Sequence, residues 1–177
     1  MRLQQAIWMV VIGVTLVAAF VDFRTRKIPN WLTVPSLFVG LALRTATTGW
    51  AGAKASLAGA GLALILLLPL VLMRALGAGD WKLMGAVGAF LGPVMFLFVL
   101  LGSIFVSGLM AIVEMMRTQR VKETFRNLGV LVQGFFSFGL RANPEISLDN
   151  PALLKIPFGV AAAISTLVCF GVARWGV

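Results

Sequence analysis

Two aspartates could do chemistry in this chain. It holds only six acidic residues in 177. Asp22 closes the first apolar segment, and Asp80 ends the turn Gly77-Ala78-Gly79-Asp80 between two further apolar segments. An ionisable group at or within a bilayer is costly and marks a functional site by default. Two carboxyls at close range cannot both ionise cheaply, so they share a proton. The ionised one can take a proton from water, which then attacks a peptide carbonyl. The protonated one can support the carbonyl oxygen and then the leaving amine. That is aspartyl peptidase chemistry, and no cofactor is expected. Gly77 and Gly79 fit it, because a backbone without side chains admits an extended substrate closely. Each acid also has a plainer reading. Asp80 could cap the helix starting at Trp81, and Asp22 could pair with Arg26.

Other chemistries are excluded by composition. There is no histidine, which removes His-based metal sites and Ser-His or Cys-His catalysis. The single cysteine, Cys169, lies in an apolar run, so neither a disulfide framework nor a four-cysteine zinc site is available.

The elements that must position the acids are membrane helices. Hydrophobic residues make up 60% of the chain and mean hydropathy is +0.99, above the soluble range of about 45–50% apolar. The fold expected is all-α: one polytopic membrane domain over 1–177, with about six transmembrane helices and a cytoplasmic amphipathic helix. The spans fall near 5–22, 31–47, 55–75, 81–91, 94–116 and 156–175. The first resembles a signal peptide, with Arg2 before it and Val17-Ala18-Ala19 near its end. Arg24, Arg26 and Lys27 follow at once, however, and hold that end in the cytoplasm. Pro29 pushes Ile28 out of helical geometry, and Asn30 is placed to cap the second span. A short outer loop is expected over 45–54, and Pro69 should kink the third span. Gly85, Gly88 and Gly92 mark a tightly packed face. Glu114 reads as an interfacial residue near Arg117. Residues 117–141 mix Arg117, Arg120, Lys122 and Arg126 with apolar positions at helical spacing, which predicts an amphipathic surface helix. Residues 142–151 read as a loop.

With the 23–30 loop inside, all of the 15 basic residues except Arg2, Arg44, Lys54 and Arg174 fall on cytoplasmic segments. This obeys the positive-inside rule and puts Asp22 and Asp80 at the same membrane face. The net charge of +9 thus reflects topology and anionic lipid headgroups, not nucleic acid. Asp22 at a helix end faces the negative pole of the helix dipole, and Asp80 at a helix start faces the positive one. Asp80 is therefore expected as the ionised base and Asp22 as the protonated acid.

Three blocks carry a resemblance. They are Asp22-Phe23-Arg24 with Lys27-Ile28-Pro29-Asn30, then Gly77-Ala78-Gly79-Asp80 with Lys82, then Ile156-Pro157-Phe158-Gly159. In order and spacing the chain resembles the type IV prepilin peptidases, membrane aspartyl peptidases of the GxGD type. The resemblance implies that Asp22 and Asp80 are catalytic. It implies supporting or substrate-binding roles for Gly77, Gly79, Lys82, Pro29, Asn30, Pro157, Phe158 and Gly159. It also implies a prepilin substrate, whose short basic leader is cut at the cytoplasmic face of the inner membrane. Lacking the four-cysteine N-terminal domain of longer members, the chain is similar to the short form serving tight-adherence (Flp) pili. The rival readings are a transporter or channel built on intramembrane acids, and a non-catalytic pilus-assembly subunit.

Overall fold

The computed structural model describes residues 2–118, 129 and 156–175. All of its elements are helices: α1 (Arg2–Thr25), α2 (Asn30–Leu72), α3 (Ala78–Thr118) and α4 (Phe158–Trp175). The first three are long and apolar enough to cross a membrane, and Phe158–Arg174 is a shorter apolar helix. The all-α membrane class stands. The count is corrected, with four helices among the described residues where six were expected. Beyond Thr118 the expected amphipathic helix of 117–141 lies outside the described residues, as does the 142–151 loop.

The difference in count has a local cause. At 1.5 Å per residue, the 43 residues of α2 would span about 65 Å if straight, twice a hydrocarbon core of about 30 Å. α2 is instead broken at Thr48 (φ −132°, ψ 16°) and Gly49 (φ 61°, ψ −140°), and α3 at Gly92 (φ 75°, ψ 177°) just before Pro93. Both breaks fall between expected spans, the first within the expected 45–54 loop, but each takes one or two residues. Gly49 and Gly92 adopt the left-handed backbone that glycine alone takes freely. Pro69, expected to kink the chain, keeps helical dihedrals inside α2.

Each break folds the chain back. Leu37 and Leu64, on opposite sides of Gly49, both approach Gly85. Gly40 meets Ala89 and Phe90, while Gly59 meets Gly88 and Gly92. The two arms of α2 therefore lie side by side against the first segment of α3. The break at Gly92 does the same for α3. Ser165 donates to the Val99 carbonyl (2.7 Å) and crowds Gly102. Ser165 is only about 9 Å along α4 from Gly159, which touches Asp22. Gly102 would be about 33 Å from Asp80 in a straight helix. The chain after Gly92 must return toward the aspartates.

Packing follows membrane rules. α2 and α3 make the most extensive interface, α4 packs on both α1 and α3, and α1 touches α2 and α3 lightly. Trp8 and Phe170 join α1 to α4 with ring centroids 5.6 Å apart. Buried hydroxyls mostly bond their own helix: Thr15 to Val11, Ser36 to Leu32, Ser103 to Val99, and Thr166 to Ala162. Large apolar side chains such as Ile65, Phe98 and Phe105 face outward, as lipid contact requires. Trp50 stands exposed at the α2 break with the Lys54 ammonium 5.9 Å from its ring. Phe23 and Trp31 are exposed at the opposite end. Aromatic side chains at both ends suit the two interfaces. Glu114, half-buried, pairs with exposed Arg117 at 3.7 Å, as expected of an interfacial turn.

Candidate active site

Asp22 lies in the last turn of α1 and is only 5% exposed. Its Oδ2 accepts a hydrogen bond from the Gly159 N–H at 2.9 Å. Gly159 is the second residue of α4, and the Val160 N–H bonds back to the Pro157 carbonyl. Asp22 thus satisfies one of the orphan donors of a helix start from another helix, and it lies where a helix dipole favours negative charge. A Cβ on Gly159 would fall 3.1 Å from both Cβ and Oδ2 of Asp22. Pro157 is buried, and half-buried Phe158 packs on the core. The third sequence block is therefore the seat of the first acid. Arg26, with a left-handed backbone (φ 54°), closes α1 by bonding its N–H to the Asp22 carbonyl (2.8 Å) and adds a favourable charge.

Asp80 occupies the third position of α3. The helix starts at Ala78 rather than Trp81, with Gly77 as its cap: the Trp81 N–H donates to the Gly77 carbonyl at 3.0 Å. The Asp80 carboxyl reaches back to the Gly77 N–H, half of a capping box. The plainer reading of Asp80 thus describes one oxygen. The other, Oδ1, is buried and has no hydrogen-bond partner among the described residues. Gly79 meets Ile28, just beyond the end of α1, and Lys82 bonds Asn30, so the fold brings the two acids to one end of the bundle.

The glycines serve the chain itself. A Cβ on Gly77 would fall 2.7 Å from Asp80 Oδ2, and one on Gly79 would fall 2.7 Å from the Ile28 carbonyl oxygen. They give room to the Asp80 side chain and to the first sequence block. Asn30 also differs from expectation. Pro29 is the cap residue of α2, without a side-chain bond, and its carbonyl accepts from Leu32 and Thr33. Asn30 Oδ1 accepts instead from Lys82 Nζ at 2.9 Å. That bond ties the first block to the helix of Asp80. Beside it, Val21, Thr25, Lys27, Pro29 and Trp31 line an open cleft of about 470 Å³. No cluster of three or more His, Cys, Asp or Glu lies together among the described residues.

The helix-dipole argument for dividing the proton loses its basis. Asp80 faces the start of α3, but Asp22 faces the start of α4 as well as the end of α1. The sequence offered no sign of the Asp22–Gly159 contact. Arg44 and the Trp81 side chain were also missed. Arg44 donates to the Phe90 and Leu91 carbonyls, and Trp81 Nε1 donates to the Leu64 carbonyl at 2.8 Å.

No curated protein and no solved structure matches the chain. The family model of the type IV leader peptidases matches residues 9–112. That is more than half of the chain, and it takes in both aspartates and the two sequence blocks around them. With an all-helical membrane fold around the paired acids, the chain belongs to the type IV leader peptidase family.

Proposed function

We propose that this chain is an aspartyl endopeptidase that removes the short basic leader of a prepilin at the cytoplasmic face of the inner membrane, the prepilin being of the Flp type. The observation that carries this reading is Asp80 Oδ1, a buried carboxyl oxygen with no hydrogen-bond partner among the described residues, at the same end of the bundle as the buried carboxyl of Asp22. Buried polar atoms are rarely left unsatisfied in native proteins. A reacting water would meet that need. One carboxylate removes its proton as its oxygen bonds the scissile carbonyl carbon. The other carboxyl, protonated, hydrogen-bonds the carbonyl oxygen. A proton then passes to the amine as the C–N bond breaks, and the pair returns to its single shared proton.

Substrate recognition rests on apolar packing. The basic surface repels a basic leader, so the prepilin's apolar helix docks on the spans while the cations face anionic lipid. A transporter is less well supported, because both helix breaks lie away from the acids instead of forming the ion path.

Purified protein incubated with a Flp-type prepilin should shorten it, with the new N-terminus read by mass spectrometry. Intact prepilin in that assay would remove the peptidase reading. In the same assay Gly159→Ala should cut turnover roughly 10-fold or more, because a Cβ at 3.1 Å displaces Asp22 and sub-ångström placement matters. Unchanged turnover would show that the α4 start does not position Asp22. Sidedness is read separately. In a Cys169→Ser background, Thr25→Cys should label in inverted vesicles and Trp50→Cys in intact cells. The reverse pattern would place the acids outside.

A further inference from the structure

Arg44 is a half-buried cation in the first arm of α2, and its guanidinium crosses to α3. Nε donates to the Phe90 carbonyl at 3.0 Å, and Nη2 donates to the Leu91 carbonyl. These carbonyls end the first segment of α3, where the break at Gly92 interrupts the helical hydrogen-bond ladder. A cation there also meets the negative pole of the segment's dipole. Gly92 leaves the space: a Cβ on it would lie 2.8 Å from Nη2. The backbone of Arg44 is engaged as well. Its carbonyl accepts from the Thr47 and Thr48 hydroxyls at 2.9 and 3.2 Å, and Gly52 packs directly on it. Both chain reversals close on this one residue.

We propose that Arg44 is a positioning residue for Asp80. The proposal rests on the peptidase reading above. The first arm of α2 and the loop just before it grip the 78–91 segment at both ends. At one end Ile28 meets Gly79 and Asn30 holds Lys82; at the other Arg44 holds Phe90 and Leu91. The segment is a helix, so a shift or turn at its far end is carried to Asp80. Without the guanidinium, two buried carbonyls lose these donors in apolar surroundings, and the segment moves to satisfy them. A displacement of about 1 Å can cost roughly 100-fold in rate.

The test uses full-length Arg44→Met and Arg44→Lys, with a prepilin substrate and matched amounts of folded protein. Arg44→Met should lower kcat roughly 10- to 100-fold and change KM less than about twofold. Arg44→Lys, which keeps the charge and one donor, should recover part of the loss. Spin labels at Thr25→Cys and Ala78→Cys, with Cys169→Ser, give a readout independent of activity. Arg44→Met should shift or broaden their distance distribution. An unchanged kcat overturns the proposal, and so does a loss that tracks only the folded fraction while the label distance stays fixed. If the parent protein cleaves no prepilin, the peptidase reading fails. The label distance then decides the positioning claim by itself.

Discussion

Asp22→Asn and Asp80→Asn should each lower leader cleavage about 10²–10⁴-fold while the protein still inserts and accumulates. The two effects separate because asparagine preserves the hydrogen bonds that the structure shows. Its amide oxygen can still accept from Gly159 N–H at position 22 and from Gly77 N–H at position 80. What it cannot do is take a proton from water or pass one to its partner. Residues acting as a unit lose activity non-additively, so the double variant should be little worse than either single one. A purely structural role predicts a different pattern. Loss of a cap costs about 0.5–2 kcal/mol; Asp80→Ala would then destabilise while Asp80→Asn stayed active. Cleavage of a full-length prepilin in detergent, read as a size shift at matched enzyme levels, distinguishes the two. Near-normal turnover by Asp80→Asn would end the aspartyl mechanism.

Gly59→Val and Gly88→Val should prevent the protein from accumulating in folded form, whereas Gly61→Ala should be neutral or mildly stabilising. A Cβ on Gly59 would lie 2.2 Å from the Gly88 carbonyl oxygen, and one on Gly88 would lie 2.3 Å from that of Gly59. Both obstacles are backbone, so no rotamer change relieves them, and the second arm of α2 must leave α3. Overpacking costs about 1–3 kcal/mol even where side chains can yield. In a membrane, where close approach supplies much of the helix association, the loss here should be larger. Gly61 has nothing within 4 Å, and helix propensity favours alanine over glycine there by about 1 kcal/mol. Thermal unfolding in detergent gives the comparison. Equal melting for Gly88→Val and the parent would contradict the interface described between α2 and α3.

The acids and the class of fold were legible for the same reason. Hydropathy separates the apolar segments, and Asp22 and Asp80 stand out at their edges against so few other acids. The breaks at Gly49 and Gly92 were legible in position but not in form. Small polar residues mark where a chain can turn, not whether it takes one residue or ten. Long-range contacts were not legible. Asp22 and Gly159 are 137 positions apart, and nothing in either segment encodes the other. Asn30 illustrates the limit. Its place before an apolar run suits a cap, and only the neighbouring helix shows that Lys82 takes its oxygen. Arg44 fell on the sparsely basic side of the charge pattern, which reports topology and is silent about which carbonyls need a donor.

The first segment of α3 is walled off from lipid, with residues 83–92 all buried within the protein. From Ala78 to Leu91 it is about 20 Å long, well short of a hydrocarbon layer of about 30 Å. Asp80 and the guanidinium of Arg44 stand about 15 Å apart along it, with polar or charged groups at both ends. The segment's shortness is therefore met by the helices around it and not by the bilayer, so hydrophobic mismatch does not set the depth of Asp80. The surrounding helices set that depth instead.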